Sequence, residues 1–447
     1  MHRPPSSTER SACPAALALL AGVAGNVLAV SSALAEEEIY SNAERGTSVV
    51  INTDVLGGWY NSNDSWFGAS ESFLGANTDH WAEIGIEPAV SFETRAGEGT
   101  LFGALSGVYT STTGNDASGL TVGLTDTNAL TLEQGHVGWR KEDLLAGLEG
   151  DTFSITIGRQ DYNIGTGMLV NDGGGDGGNR GGWYLGLRKA FSESLIARLD
   201  SDKWLFEAFR LKNRPREGGT QGEAYGANVE YSFGETATVG TTYMQADSNQ
   251  PGSAKLDVYS ARADWQLGRG FGVAAEYADE SSSQIEAVGY YGEVSYAFMD
   301  TAWSPRLSYR LAHFDGDNPA TATDERFREI AYGYTDWGSW YQGEITGEYA
   351  LGNGNLDSQL VRLTLTPSEK VTLNAMYWHF TLDEPGSFGV TSDDWGDEFN
   401  FTLDWAVNDR VYVIGVLGVL LPGEGAEQYV GGNSDWIHSM LYITYAW

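Results

Sequence analysis

The chain has 447 residues, of which 61 are acidic and 26 are basic, so its formal net charge at pH 7 is −35. So acidic a protein repels phosphate, which excludes a nucleic-acid-binding function, and its single cysteine excludes a disulfide scaffold. Glycine is abundant at 58 residues, and the chain holds 15 Trp, 23 Tyr and 17 Phe. This combination favours many strands joined by tight turns.

The start of the chain has the pattern of a secretory signal peptide. Basic residues precede a small, apolar stretch at residues 14–30, and Ala33-Leu34-Ala35 follows as a cleavage motif. We therefore predict that residues 1–35 are removed and that residues 36–447 form a single domain. The only cysteine lies in the predicted signal peptide, which suits passage through an oxidising periplasm.

From Ser48 onward, apolar and polar residues alternate over successive stretches, which is the pattern of β-strands. The stretch 304–314 is typical: one face carries Leu307, Tyr309 and Leu311, and the other carries Arg306, Ser308 and Arg310. The apolar runs are too short for a membrane-spanning helix. The longest, Val411–Leu421, has the length of a spanning strand, about 9–11 residues.

The connections between the predicted strands alternate in length. Short turns include 95–100, 234–235, 268–270, 367–369 and 408–409. Long loops include 61–80, 111–128, 161–181, 315–325, 383–395 and 422–435. Short periplasmic turns and long extracellular loops are typical of outer-membrane barrels. We predict an all-β fold, a transmembrane antiparallel β-barrel of about 18 strands (roughly 16–20), with the strand count open at 190–213 and 326–340.

Aromatic residues recur at the predicted strand ends, as in the girdles at the two membrane interfaces. The tryptophans in question are Trp59, Trp81, Trp139, Trp183, Trp204, Trp265, Trp303, Trp337, Trp378, Trp405 and Trp436. The last strand, 441–447, ends on Trp447, a terminal aromatic of the kind that the barrel-assembly machinery recognises. We expect a bacterial outer-membrane location, with lipid, lipopolysaccharide and that machinery as partners.

Several motifs resemble the bacterial alginate-export porin family. The first is Ile157–Asp161, followed by a glycine-rich loop, Gly182-Trp183-Tyr184 and Arg188. The segments 336–344 and 363–380 also resemble it, and the similarity spans about residues 128 to 447. The resemblance implies an outer-membrane barrel that passes a polysaccharide or smaller anionic solutes. We expect this passage to need no cofactor.

Strand alternation predicts which charged side chains face the lumen, because each charge on the lipid face costs about 2–4 kcal/mol near the midplane. The predicted pore-lining or solute-binding residues are Arg188, Arg262, Arg306, Arg310, Glu344, Glu348, Arg362 and Asp404. Acidic side chains outnumber basic ones inside, unlike in the arginine-rich channel of the alginate exporter. We therefore expect weak or mixed ion selectivity. The alternative is that the inward arginines only form ion pairs with neighbouring glutamates and do not bind solute.

The glycine-rich segment Asp161–Gly181 is predicted to fold into or over the pore, because glycine permits positive φ and close backbone approach. Its candidate constriction residues are Asp161, Asp172, Asp176 and Arg180. A loop that stays outside is the alternative. This loop, at 171–179, and the loop at 315–318 place oxygen ligands among glycines, but neither has EF-hand spacing. We predict no metal site, and calcium binding by these two loops is the alternative.

The histidines after the signal peptide are scattered, and only His438-Ser439 are adjacent, on opposite faces of a strand. This arrangement does not form a catalytic constellation, so we expect a passive channel and not an enzyme. Three alternatives stay open. One is a polysaccharide exporter that works with a periplasmic scaffold. The others are a general or substrate-selective diffusion porin unrelated to alginate, and a structural or adhesive barrel.

Overall fold

The computed structural model describes residues 37–145, 148, 150–215, 221–248, 255–328, 330–333 and 342–447. The predicted signal peptide and most of the motif at 336–344 lie outside these residues. The strands are β1 (Glu37–Asn42), β2 (Thr47–Asn63), β3 (His80–Ala96), β4 (Gly99–Gly114), β5 (Asn128–Glu142), β6 (Thr152–Gln160), β7 (Phe191–Asp200), β8 (Trp204–Lys212), β9 (Gly222–Ser232), β10 (Ala237–Ser248), β11 (Leu256–Gly268), β12 (Phe271–Ser281), β13 (Glu286–Ala297), β14 (Arg306–Phe314), β15 (Leu356–Ser368), β16 (Val371–Thr381), β17 (Asp394–Asn408), β18 (Val411–Pro422) and β19 (Trp436–Ala446).

The helical segments of the described chain are short and lie in the connections. They are 3₁₀ turns at Ser65–Gly68, Gly178–Arg180 and Pro385–Phe388, a π-helical turn at Gly343–Ala350, and the helices α1 (Ser70–Phe73) and α2 (Glu424–Val430). Within the described residues, the helices are all too short or too polar to cross a membrane.

Strands β2 to β19 form a closed antiparallel barrel of 18 strands, as predicted. Each strand pairs with the next, and β19 pairs with β2, where Met440 lies opposite Tyr60. Strand β1 pairs with the first residues of β2, from Thr47 to Ile51, on the edge that β19 leaves free. The uncertain stretch 190–213 contains the hairpin β7–β8, whereas residues 326–328 and 330–333 form no strand.

The outer surface of the barrel is apolar and the inner surface is polar. On β14, Leu307, Tyr309 and Leu311 are 44%, 39% and 47% exposed, while Ser308 and Arg310 between them are 3% and 0% exposed. Side chains alternate across a strand, so the exposed apolar row faces lipid and the buried row faces the lumen. Arg306 and Arg310 of β14 both belong to the row that faces the lumen.

Short and long connections lie at opposite ends of the barrel. A representative short turn, Gly268-Arg269-Gly270, has φ values of 82°, 54° and 86°, a left-handed path that glycine takes without strain. At the other end, which the length rule makes extracellular, two long connections fold inward. We call residues 161–190 the first inward loop, and we call the described residues between β14 and β15 (315–328, 330–333 and 342–355) the second inward loop.

The two inward loops join each other inside the barrel. Val170 of the first forms a parallel bridge with Ala331 of the second. The amide of Asn171 donates to the Ala331 carbonyl at 2.7 Å, and the Ala331 amide donates to the Leu169 carbonyl at 3.2 Å. The hydrophobic core of the protein lies where these loops pack against the inner wall.

Candidate functional site

Carboxylates of the inner wall hold the first inward loop. Oε2 of Glu83, on β3, accepts the amides of Tyr184 and Leu185, both at 3.0 Å. Oε1 of Glu133, on β5, accepts the amides of Lys189 and Ala190, both at 2.7 Å. Buried backbone N–H groups need acceptors, and a charged acceptor makes the stronger bond. These wall carboxylates therefore anchor the loop.

Arg188 lies in this loop, completely buried, and not on a strand facing an open lumen. Its guanidinium donates to Asp176 Oδ1 at 2.8 Å, to Thr110 Oγ1 at 2.6 Å and to Thr131 Oγ1 at 2.9 Å. A fourth bond, at 2.8 Å, goes to the carbonyl of Ala129. All three guanidinium nitrogens thus bind protein atoms. This geometry does not fit the prediction that Arg188 binds solute. The residue instead links the loop to β4 and β5.

The first inward loop crosses the lumen. Close to its start, Thr166 lies beside Glu276 of β12, with 3.5 Å between Oγ1 and Oε2, while its far end is held on β3 and β5. Glycine is required where the loop passes itself, because a Cβ on Gly174 would lie 1.5 Å from the carbonyl oxygen of Arg188. The glycine-rich composition thus serves close backbone approach.

The four candidate constriction residues have different roles. Asp176 pairs with Arg188, and Oδ1 of Asp172 accepts the amide of Gly174 at 2.9 Å. Arg180 donates to the carbonyls of Gly175 at 2.6 Å and Pro215 at 2.9 Å, and burial lowers its pKa. Asp161 is half-buried where β6 ends. Asp172, Asp176 and Arg180 thus make contacts within the loop, and Arg180 also contacts the connection after β8.

A glutamate of the wall also holds the second inward loop. Glu398, on β17, accepts the amides of Ile345 at 2.8 Å and Thr346 at 2.9 Å, one on each carboxylate oxygen. These amides lie near the start of the π-helical turn. Glu344 and Glu348, predicted to line the pore, belong to this turn and are buried. Glu398 cannot be recognised as an anchor from the sequence, because nothing local relates β17 to a turn about fifty residues earlier.

An aromatic cluster fills the lumen beside β19, β2 and β3. Tyr60 and Trp81 stack with ring centroids 4.8 Å apart, and Tyr184 of the first inward loop lies 5.0 Å from Tyr60. Tyr349 of the second inward loop lies 5.4 Å from the ring of His438. The cluster therefore combines wall and loop side chains into one packed core.

The aromatic girdle is only partly as predicted. Trp59, Trp204, Trp265, Trp303 and Trp405 are exposed on the outer surface, but Trp81, Trp378 and Trp436 are buried inside. Trp337 lies outside the described residues. Tryptophans of the two kinds occupy similar places near strand ends, and only their position in the alternation distinguishes lipid-facing from inward rings.

The remaining predicted arginines face inward, and each contacts the wall. Arg262 donates to Glu230 at 2.6 Å, and Arg362 donates to Glu293 at 3.0 Å. The guanidinium of Arg310 lies 4.8 Å from the ring centre of Trp378, and Arg306 donates to Ser295 Oγ at 2.9 Å. Asp404 accepts the hydroxyl of Tyr412 at 3.0 Å.

Two further arginines of the inner wall were not among the predicted pore-lining residues. Arg140 forms a two-pronged pair with Glu93, at 2.8 and 2.7 Å, near the end with short turns. Arg198 pairs with Asp200 at 2.8 Å and with Glu207 at 3.4 Å. Both residues stand at inward-facing positions of their strands, so strand alternation alone could have identified them. The inner wall therefore carries arginine–carboxylate pairs at several heights.

In the two loops with oxygen ligands among glycines, at 171–179 and 315–318, carboxylate oxygens accept backbone hydrogen bonds. Asp315 Oδ2 accepts the amide of Val288 at 2.6 Å, and Asp317 Oδ1 accepts the amide of Glu325 at 3.2 Å. Together with the bond from Gly174 to Asp172, these contacts give Asp172, Asp315 and Asp317 each a backbone N–H donor.

A closed 18-strand barrel with an apolar exterior, a polar interior and inward-folded loops defines an outer-membrane channel of the porin type. The chain belongs to the alginate export family, whose profile matches residues 108–436. This match confirms the resemblance seen in the sequence. No curated protein sequence matches the chain.

Solved outer-membrane proteins share the fold. OpdK from Pseudomonas aeruginosa has 13% identity and a TM-score of 0.53 over 89% of this chain and 98% of its own. OccAB4 from Acinetobacter baumannii has 10% identity and a TM-score of 0.53 over 89% of this chain and 97% of its own. At such identities the similarity concerns the barrel alone. The family and the fold together indicate an outer-membrane transport channel.

Proposed function

We propose that the barrel is a passive channel for saccharide chains rich in hydroxyl groups, with weak ion selectivity. Family membership supports a saccharide cargo. The pairing of the wall arginines supports the weak selectivity, and this observation carries the proposal. We further propose that the short turns face the periplasm and that the long acidic loops contact lipopolysaccharide.

The ion pairs limit the field that a passing solute meets. Arg262 lies 2.6 Å from a Glu230 oxygen and also donates to Asn228 at 2.5 Å and Thr242 at 3.0 Å. A neighbouring opposite charge cancels most of the potential of an arginine beyond a few ångströms. A polyanion gains little from such a wall, whereas a neutral sugar still finds amide, hydroxyl and charged hydrogen-bonding groups.

Electrical recording of the purified barrel in planar bilayers tests this proposal. We expect a reversal potential close to zero in a salt gradient, and partial current block by neutral oligosaccharides at least as strong as by alginate oligosaccharides. Strong anion selectivity together with block by alginate alone would instead make the protein a polyanion conduit.

Two variants of one ion pair sharpen the test. Arg262→Ser leaves the Glu230 carboxylate uncompensated and should shift selectivity toward cations, while Glu230→Gln should shift it toward anions. Arg210→Ser is the control, because Arg210 pairs with Glu223 on the exposed outer surface at 2.6 Å. Equal reversal potentials in all three variants would contradict a solute path along Arg262.

A further inference from the structure

A histidine and two aspartates meet on the outer surface of the barrel, at the end with long loops. His313 lies near the end of β14, Asp357 lies opposite it near the start of β15, and Asp383 follows β16. One ligand atom from each residue lies within 4.8 Å of the other two. The imidazole Nδ1 is 2.7 Å from Oδ1 of Asp357.

The other imidazole nitrogen, Nε2, is held by a third aspartate, Asp315. Nε2 of His313 lies 2.7 Å from Oδ1 of Asp315, whose Oδ2 accepts the amide of Val288 at 2.6 Å. Nε2–H donates to this fixed carboxylate, and Nδ1–H donates to Asp357 in the same way. A metal ion that replaces the Nδ1 proton would meet the Nδ1 lone pair between Asp357 and Asp383. A carboxylate that orients the distal nitrogen of a histidine is a regular second layer of metal sites.

Asp383 is also pre-positioned. Its Oδ2 accepts the amide of Gly316 at 2.8 Å, which fixes the carboxylate beside the imidazole. Three carboxylates thus surround one imidazole, and even a protonated His313 balances only one of their charges. A divalent cation between His313, Asp357 and Asp383 compensates this excess better than a proton does.

We propose that His313 Nδ1 and one oxygen each of Asp357 and Asp383 bind a divalent transition-metal cation of the Zn²⁺ class. A nitrogen ligand with two carboxylates suits Zn²⁺, whereas Ca²⁺ prefers oxygen ligands alone. The site takes water or an anionic oxygen at its open position. It does not depend on what the channel carries.

The position of the site indicates a structural role for the cation. His313 and Asp315 stand where the second inward loop leaves the wall, and Asp357 stands where the chain re-enters it. Asp383 adds the connection after β16. A cation here would clamp both ends of the second inward loop and so stabilise the rim of the barrel.

Zn²⁺ binding to the purified full-length barrel in detergent tests the site. Isothermal titration and metal analysis after dialysis should give one Zn²⁺ per chain, and the temperature of heat-induced gel-mobility change should rise with Zn²⁺. His313→Ala and Asp383→Asn should each weaken binding at least tenfold, about 1.4 kcal/mol or more. The mobility shift itself shows that each variant folds.

Two further variants separate a metal site from an ion pair. His313→Lys keeps a cation among the carboxylates but offers no imidazole, so it should lose Zn²⁺ binding like His313→Ala. His379→Ala should keep it, since His379 on the same outer surface pairs with one aspartate, Asp397, at 3.0 Å among the described residues. Absence of bound Zn²⁺, full binding in His313→Lys, or equal loss in His379→Ala would overturn the proposal. So would Ca²⁺ binding as tight as Zn²⁺ binding.

Discussion

The phenolic hydroxyl of Tyr184 donates a 2.7 Å hydrogen bond to Oε1 of Glu344. Tyr184 belongs to the first inward loop and Glu344 to the second, and both side chains are buried. A hydrogen bond to a charged group contributes about 1.5–3 kcal/mol. With the backbone bridge between Val170 and Ala331, this bond makes the two loops one body inside the barrel.

Removing this hydroxyl should loosen the constriction. Tyr184→Phe keeps the ring against Tyr60 but leaves the buried Glu344 oxygen without this donor, at a cost of about 1–3 kcal/mol. We expect larger and more frequent conductance fluctuations in single-channel recordings, because the two loops separate more easily. The mean conductance should rise.

Tyr309→Phe is the matched control for this prediction. Its hydroxyl makes a similar bond, 3.0 Å to Gln359, but on the exposed outer surface. Recordings of this variant should match the wild type. If Tyr184→Phe also gives unchanged traces, the bond to Glu344 does not control the channel.

The barrel could be predicted from the sequence because its signal is local. Alternation with period two identifies strands, and the same parity places Arg262, Arg310 and Arg362 inside. The difference in connection length orients the barrel in the membrane. These inferences need only neighbouring residues and the cost of charge in lipid.

The interior could not be predicted in the same way because its contacts are distant in sequence. Glu83 accepts amides about one hundred residues later, at Tyr184 and Leu185. Alternation placed Glu83 inside but could not show that a loop occupies its oxygens. The second inward loop lacks a glycine-rich signature over 343–350, so its inward path was missed. Counting inward acids therefore overstated the charge that a solute meets.

The anchor of the π-helical turn gives a second prediction. Each carboxylate oxygen of Glu398 accepts one amide of the second inward loop. Glu398→Gln keeps the size of the side chain but turns one acceptor into a donor that faces an N–H group. We expect the turn at Gly343–Ala350 to detach, which should raise mean conductance and expose the buried loop to protease added from the long-loop side.

Asp397→Asn provides the comparison for Glu398→Gln. Asp397 is the adjacent residue on the outward face, where it accepts the hydroxyl of Tyr377 at 2.8 Å. Proteolysis and conductance should stay at wild-type levels in this variant. Equal effects of both substitutions would mean that proteolysis and conductance depend on the rim of the barrel and not on the bonds from Glu398 to the turn.

The buried pair of Arg188 and Asp176 gives a third prediction. Both side chains are fully buried, with 2.8 Å between Nη1 and Oδ1. Asp176→Asn leaves the Arg188 charge without its counter-ion, which costs about 3–5 kcal/mol at a buried site. We expect a clear drop in the temperature of heat-induced gel-mobility change. Conductance should rise where the variant still folds.

A partly exposed pair on the inner wall is the control. Asp200→Asn removes one partner of Arg198, but that guanidinium keeps Glu207 at 3.4 Å, and Asp200 is 47% exposed. Exposed ion pairs contribute about 0–1 kcal/mol, so the unfolding temperature should change little. Losses of similar size in both variants would contradict the anchoring role of Arg188.

The loop between β4 and β5 gives a pH-dependent prediction. Asp116 in this loop is completely buried, and burial raises the pKa of its carboxyl above the ordinary 3.8. The raised value means that the folded protein holds this proton more tightly than the unfolded chain does. The resulting stability is complete below the ordinary pKa and is lost as pH rises through the raised pKa. Ionisation of Asp116 therefore costs more free energy in the folded protein than in the unfolded chain.

Asp116→Asn should remove this dependence. The amide oxygen can still accept from the Ser118 hydroxyl at 2.5 Å and the Leu120 amide at 3.2 Å, as the carboxylate does. We expect the variant to unfold at a higher temperature than the wild type at pH 7, and the difference to shrink as the pH falls toward 4, as followed by gel mobility across this range. Asp126→Asn, an exposed position in the same loop, should show no such trend. A variant that is less stable than the wild type at pH 7 would show that the accepted hydrogen bonds outweigh the cost of burying the charge.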